Sequence, residues 1–494
     1  MDCRRHCIST VAVAGLVLVA TAPVLAGCSS GKKEKAAAPT TTSAGIPGPL
    51  PSRSSAQGVR AGGPPPGAGS HAGDPDAKAT HRKGDGKQAK LKHRKVCPKG
   101  QAKKGGIRCT SSLATDKDGT PYTFPKPDAY SVQGIYGTVW GFGPRDYHIM
   151  YNLPWYANVQ QTIGIVLWGD DPTVKKDLDA FNSAFGLGYF PSCATWSWAA
   201  CFLKVNQRGS TTSFPPLDAK ASIELSLDVQ YAHAICLNCR IIVVEADSNE
   251  TADLAAAENM AYRLGATVIN NSWGAEEGDE TCQTMTSTYA SAFNHPGVAI
   301  VASSGDSGWG AQCPADLNTV VSVGGTDLFQ NADLSYSYET VFNQGDFFSI
   351  SAPGSGCSGL TAARTFQTSV AGWSQTGCGN RRGIADISAS YGGAWVYDSS
   401  AGYNNDPTSS ESTGSYWYVL YGTSLSAPIV SGAFGLAGNG WSVYYPAQLA
   451  YAHPNAFRDV TSGSNGSCGT SMCDAARGYD GPTGLGTPYG LGGF

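Results

Sequence analysis

The sequence predicts an α/β domain of three layers, with a mostly parallel central sheet covered by helices on both faces. Two observations predict it. Short apolar runs, too continuous for half-solvated strands, recur from about residue 160 onward, and stretches with helical spacing separate them. Buried parallel strands joined by helical crossovers satisfy both, and such sheets collect reactive groups at the C-terminal ends of their strands.

In order along this core, 162–167 reads as a buried strand, 174–185 as a helix, 202–205 as a strand and 219–234 as a helix. Further strands are expected at 240–245, 266–271 and 298–303, with helices near 251–264 and 282–293 between them. From about 329 to 420 the chain is rich in Gly, Ser, Tyr and Trp and reads as loops and short strands. No internal repeat is present.

The chain of 494 residues is too long for one ordinary domain unless part of it is unstructured. Arg4, Arg5 and His6 precede an apolar run at 10–22, followed by Leu25-Ala26-Gly27-Cys28. A charged start, a short apolar stretch and small residues before a cut describe an export signal over 1–27, too short to span a membrane. Leu-Ala-Gly-Cys resembles a bacterial lipobox. That resemblance implies cleavage before Cys28, a diacylglyceryl group on its sulfur, and an extracytoplasmic protein that is membrane-anchored or secreted.

Residues 28–130 are expected to form a disordered, low-complexity basic tether. Over 29–110 there are 17 Lys and Arg against 4 Asp and Glu, a net of +13, and almost no large apolar side chain to offset chain entropy. Such a stretch suits a solvated spacer or contact with anionic wall polymer or lipid headgroups. Without interleaved aromatics it gives no sign of nucleic-acid binding. From 111 onward the balance inverts to 15 basic against 33 acidic residues, a net of −18. Most of these carboxylates lack a basic partner, so acid should relieve repulsion more than it breaks ion pairs, and tolerance of acid is expected.

Cysteine usage agrees with export. Of fifteen cysteines, Cys3 and Cys7 leave with the signal and Cys28 takes the lipid. The rest fall into six neighbouring pairs: Cys97 and Cys109, Cys193 and Cys201, Cys236 and Cys239, Cys282 and Cys313, Cys357 and Cys378, Cys468 and Cys473. An even set fits an oxidising compartment. Cys236 and Cys239 have no second Cys/His pair at zinc-ligand spacing.

Four stretches carry candidate chemistry. Gly422-Thr423-Ser424 runs into Leu425, Ser426, Ala427, Pro428 and further apolar residues, a tight loop feeding a buried helix. It puts Ser424 at a helix N-terminus, where free N–H groups and the helix dipole favour an attacking oxygen and the oxyanion it creates. Within 219–234, Glu224 and Asp228 are four apart, on one face of an otherwise apolar helix and close enough to share a proton. Ser303-Ser304-Gly305-Asp306-Ser307-Gly308 follows a strand and delivers Asp306 to the sheet edge. Ser272-Trp273-Gly274 offers a backbone edge for an extended peptide. His233 lies nine residues past Glu224, on nearly the opposite face, and reads as structural; His148 and His295 lack a protease context, and no His-Gly-Thr occurs.

In this order the motifs resemble the sedolisin family of serine-carboxyl peptidases, over roughly 134–494. The resemblance implies a subtilisin-like fold for a catalytic domain at 131–494, with Ser424 as nucleophile, Glu224 as general base, Asp228 orienting Glu224, and Asp306 as oxyanion donor. Ser272 and Gly274 match the substrate-aligning edge. A carboxylate base works where it is partly ionised, and Asp306 can donate only while protonated, so hydrolysis is expected to be fastest at roughly pH 3 to 5. The family's calcium site implies one Ca2+ held by Asp459, Val460, Ala476, Gly478 and Asp480, with Ala476 where the family commonly has glycine. The family's folded pro-domain has no counterpart of similar length, so either none is needed or 97–128 forms a short substitute. Peptide or protein substrates and a monomeric enzyme are expected. The rival readings are a histidine-based subtilisin relative and an inactive surface-binding module on a protease scaffold.

Overall fold

Three short strands precede the main sheet: β1 (Lys92–Lys95), β2 (Arg108–Cys109) and β3 (Ser112–Thr115). They belong to a computed structural model that describes residues 92–97, 106–115, 121–124, 127, 141–193, 199–331, 333–344, 351–400 and 416–494. The export signal, Cys28 and the tether up to residue 91 lie outside the described residues, which all fall within one unit, Arg60–Phe494.

The first helix, α1 (Pro144–Met150), leads to β4 (Thr162–Trp168), α2 (Val174–Phe185), β5 (Phe202–Asn206), α3 (Ala219–Ile235), β6 (Arg240–Ala246), α4 (Thr251–Arg263) and β7 (Val268–Asn271). After β8 (Trp273–Glu276) comes β9 (Ala299–Ser303). Both β4 and β6 are buried along their whole length, which puts them at the centre of a sheet covered on both faces. The eight-stranded sheet runs Tyr336–Val341, Val321–Gln330, β9, β7, β4, β6, β5, with Ile387–Ser390 also on Val321–Gln330. Every pairing in it is parallel except that of Tyr336–Val341. This is the subtilisin-like α/β architecture expected.

Helix α3 has no solvent-facing stripe: every residue from Ala221 to Ile235 is buried. It packs against Thr423–Ala437, α2 and β4, and fully burying side chains such as Ile223, Leu225 and Leu227 is worth about 1.5–3 kcal/mol each. Asp218 caps it, accepting from the N–H groups of Lys220 and Ala221. The same packing carries Glu224 and Asp228 into the interior.

Three expectations change. The helix expected at 282–293 is an α-turn (Glu280–Thr284), a π-turn (Met285–Tyr289) and a 3-10 turn (Ala290–Phe293). Ser287 there donates its hydroxyl back to the Gln283 carbonyl at 2.7 Å, which competes with regular helix geometry. The ten-residue strand Val321–Gln330 was not expected, because Gly324 and Gly325 break its apolar pattern. A Cβ at Gly324 would lie 2.3 Å from the Pro482 carbonyl oxygen, and one at Gly325 2.6 Å from the Tyr391 ring, so both are needed for close approach. Finally, the tether does not extend to 130. β1 pairs antiparallel with β3, β3 pairs with the strand Trp417–Tyr421, and β2 pairs with β8. Ile107, Cys109 and Leu113 supply the burial that composition averaged over 28–130 concealed.

All six neighbouring cysteine pairs are joined as disulfides.

Candidate active site

Gly422 links the strand Trp417–Tyr421 to the helix Thr423–Ala437 with φ 141°, and a Cβ there would lie 2.3 Å from the Thr110 carbonyl oxygen. Only glycine fits such a close approach. Ser424 follows in the first helical turn, fully buried, where its N–H has no helical acceptor; it donates to the Thr110 carbonyl at 3.0 Å. Pro428 lacks the N–H that would otherwise bond to the Ser424 carbonyl, and Ser272 Oγ reaches that carbonyl at 3.5 Å. The Ser424 hydroxyl lies 2.9 Å from Thr110 Oγ1 and donates to the Ser272 carbonyl at 3.3 Å.

Glu224 stands within hydrogen-bonding reach of Ser424, and its Oε2 accepts a short hydrogen bond from Ser111 Oγ. Asp228, one turn on, accepts from Ser272 Oγ at 2.5 Å, and Asn270 donates to that hydroxyl at 3.0 Å. Burial pushes both carboxyls well above the ordinary range, and the Asp228 charge raises Glu224 further. Glu224 Oε1 and Asp228 Oδ2 are buried without a hydrogen-bond partner.

Asp306 sits in the Gly-flanked turn after β9. Its Oδ1 accepts from the N–H and the hydroxyl of Thr423, both at 2.9 Å, while Oδ2 is buried and unpartnered. Burial pushes this carboxyl up to about 7 against the lowering effect of Thr423 and Lys95, so in mild acid it is a neutral acid with a proton to donate. Four of the expected site residues, Ser424, Glu224, Asp228 and Asp306, are thus brought together by α3, the end of β9 and the helix after Gly422. The backbone edge at Ser272 and Gly274 is there too: Thr110 donates its N–H to the Ser272 carbonyl at 3.2 Å, and Arg108 pairs with Gly274.

The three histidines weighed in the sequence stand elsewhere, and His93 packs edge-on against Tyr421 with ring centroids 4.5 Å apart. His233 packs on Phe190 with burial lowering it to about 3, and His148 stacks on Trp155, lowered to about 4 by burial. His295 stacks on Tyr262.

Of the residues expected to hold calcium, Asp459 and Asp480 lie close enough to repel each other, and the backbone N–H groups of Gly478 and Ala476 are bonded to them. Asp480 is fully buried, accepting from the Ala476 N–H at 2.9 Å and from the N–H and hydroxyl of Thr483, each at 2.9 Å. Asp459 accepts from the Gly478 N–H at 2.9 Å. Burial, with some repulsion from Asp459, pushes Asp480 up to about 8. Two mutually repelling carboxylates on one loop fit a hard divalent cation, which would relieve both desolvation and repulsion. Ala476 needs no left-handed backbone, since that conformation falls on Gly478 at φ 84°.

Sequence reasoning missed Thr110, Ser111, Ser303, Asn270 and Thr423. The signal for the first two was the β-prone alternation from Ile107 to Leu113, submerged in a segment judged by its average composition. Ser303 and Asn270 lay on expected strands, with nothing to show that they faced the site.

Residues 223–470 match the Subtilase family. The chain belongs to that family. Among relatives of this subtilase, sedolisin from Pseudomonas sp. (strain 101) is 28% identical over 391 residues, covering 71% of this chain and 60% of its own length. The chain therefore spans less than two thirds of that relative. Tripeptidyl-peptidase sed1 of Aspergillus fumigatus is 40% identical over 76 residues, 14% of this chain and 12% of its own. The solved structure of Pseudomonas sedolisin, a serine-carboxyl proteinase complexed with two molecules of pseudo-iodotyrostatin, superposes with a TM-score of 0.58 at 26% identity. That match covers 71% of this chain and 96% of the other.

Proposed function

We propose that this subtilase is an exported, acid-acting serine-carboxyl endopeptidase that cuts peptide bonds through an acyl-enzyme on Ser424. One observation carries the reading. Among the described residues, the carboxyls gathered around the buried Ser424 are those of Glu224, Asp228 and Asp306, while His148 and His233 are buried elsewhere, His295 stacks on Tyr262 and His93 packs edge-on against Tyr421.

The chemistry follows from the placement. Ser424 Oγ attacks the substrate carbonyl carbon while Glu224 takes its proton, and Asp228 keeps the pair at one negative charge in mild acid. The negative oxygen so formed faces the Ser424 N–H and the Asp306 acid proton. Collapse breaks the C–N bond, the amine leaves with the proton from Glu224, and water repeats the sequence to free the acid product. The extended substrate lies along the Ser272 and Gly274 backbone.

One calcium ion is proposed at Asp459 and Asp480 with the carbonyls of Val460, Ala476 and Gly478, where its charge would hold the C-terminal loop together. A lipid on Cys28 would keep the enzyme on the outer face of a membrane, with 29–91 as spacer. Cleavage of denatured protein across pH 3–8, with Ser424→Ala as control, tests the function. Maximal activity above neutral, or activity that survives in Ser424→Ala, overturns it; a histidine-based enzyme gives the former and a binding module gives no cleavage at all.

A further inference from the structure

Tyr391 has no part in the mechanism above, yet it reaches both halves of the oxyanion site. It follows the strand Ile387–Ser390 and is fully buried. Its N–H donates to the Thr326 carbonyl at 2.8 Å, and its own carbonyl accepts from the Gly422 N–H at 2.9 Å. Gly422 is where the chain turns into the helix of Ser424, so the Tyr391 backbone holds the turn that presents both Thr423 and Ser424.

The side chain of the same residue faces the acid. The Tyr391 hydroxyl lies 3.0 Å from Ser351 Oγ and also faces the Asp306 carboxyl. Oδ1 of that carboxyl is taken by Thr423, while Oδ2 stands beside Gly422, 2.9 Å from where a Cβ would be. Oδ2 has no partner of its own and is the oxygen left for the phenol to approach. The ring cannot swing away. It stacks on Phe342 with centroids 4.2 Å apart, and a Cβ at Gly325 would lie 2.6 Å from it on another side. Burial, with the Asp306 charge next in effect, raises the phenol well above its ordinary range, so it keeps its proton and meets Asp306 as a donor.

We propose that Tyr391 is a positioning residue for the reaction: with one backbone and one side-chain contact it fixes the Asp306 carboxyl relative to the Ser424 turn, and its phenol governs the pH at which that acid stops donating. The inference rests on the peptidase reading and adds a residue to it. A donor aimed at a carboxyl restrains its rotation and favours its ionised form, so removing the hydroxyl leaves the acid less well aimed and protonated to higher pH. The other charged or titratable groups facing Asp306 are Lys95 on β1, whose Nζ lies 3.5 Å from the Asp306 carbonyl oxygen, and Glu224 on α3. Behind the ring, His93 and Tyr421 pack against Phe342. All of these stay in place when the hydroxyl alone is removed.

The test is Tyr391→Phe, which keeps the stacked ring and the backbone bonds. For a quenched peptide, kcat/KM at pH 4 should fall about 3- to 10-fold, and the alkaline limb should move up by about one pH unit, the effect of losing one hydrogen bond to a buried charge. In an Asp306→Asn background the same substitution should leave the pH profile unmoved. A second measurement needs no catalysis. In Ser424→Ala protein with 13C-labelled aspartate carboxyls, the Asp306 resonance is the one missing in Asp306→Asn, and its titration midpoint should rise by about one unit in Tyr391→Phe. Replacing Tyr391 by 3-fluorotyrosine, a stronger donor that keeps the hydroxyl, should lower that midpoint instead. If the midpoints move so while no form cleaves peptide, the hold of Tyr391 on Asp306 stands and the peptidase reading fails. An Asp306 midpoint indifferent to Tyr391→Phe, one that moves the same way with both replacements, or a limb that shifts equally in the Asp306→Asn background overturns the proposal.

Discussion

Asp306→Asn separates an acid proton from a mere hydrogen-bond partner. In the native protein Asp306 Oδ1 accepts from Thr423 and Oδ2 is buried and unpartnered, the oxygen that in the proposed mechanism would carry the proton toward the oxyanion. An asparagine keeps both relations, its carbonyl oxygen toward Thr423 and its amide N–H toward the cleft, but cannot ionise. The native carboxyl is held up to about 7 by burial. Above that value each pH unit leaves about tenfold less of the donor form, down to the floor set by losing one oxyanion donor, about 10²- to 10³-fold. The variant should lose only a few-fold at pH 4, since an amide is a weaker donor than a carboxylic acid, and should then hold its rate as the native enzyme falls. The assay is kcat/KM for a quenched peptide from pH 3 to 9. An alkaline limb of the same depth and position in both proteins, or a loss of 10² or more at pH 4 in the variant, would refute the assignment.

Three further outcomes follow from the same geometry. Glu224→Gln, isosteric and within the same packing, should lower kcat/KM about 10²- to 10⁴-fold at pH 4 while the thermal midpoint stays within a few degrees; retained activity would remove Glu224 as base. Stability should fall as pH rises. Burial holds Asp171 near 6 and Glu245 near 8, so the folded chain binds protons that the unfolded chain has released above about pH 4. That contribution is full below about pH 4 and is lost on passing 6 to 8; Asp171 alone gives on the order of 2–3 kcal/mol. Urea midpoints at pH 4 and pH 8 check the sign, and a higher midpoint at pH 8 would contradict it. Chelation of calcium at pH 5 should lower the thermal midpoint by several degrees, and Asp459→Asn should abolish the difference; a midpoint indifferent to chelator would discard that site.

The sheet and its crossover helices were legible because burial on both faces leaves a continuous apolar signature in β4, β6 and β9. The acids were legible for a related reason. Glu224 and Asp228 interrupt an apolar helix, and a charge placed where nothing else is polar has to be explained. Val321–Gln330 was not legible, because its two central glycines serve neighbours distant in sequence, Pro482 and Tyr391. Nor was the hairpin at Lys92–Thr115. Its residues are ordinary in composition, and what makes them significant is pairing with Trp273–Gly274 and Tyr421, more than 160 residues away. Local pattern reports burial well and reports partnership poorly.

The hairpin also bears on why the acids are neutral. Ser111 covers Glu224 directly, and Thr110 O and Asp306 Oδ2 both crowd the same point beside Gly422. Part of the burial that raises these carboxyls is therefore supplied by Thr110 and Ser111. With Thr110 and Ser111 in place, ionising Glu224 or Asp306 at neutral pH would bury charge without solvent. Opening the cleft admits water and draws both groups back toward ordinary carboxyl values, where in mild acid one can be ionised and the other protonated. The seat of Thr110 and Ser111 on the site and the raised carboxyls beneath them are thus two consequences of the same burial.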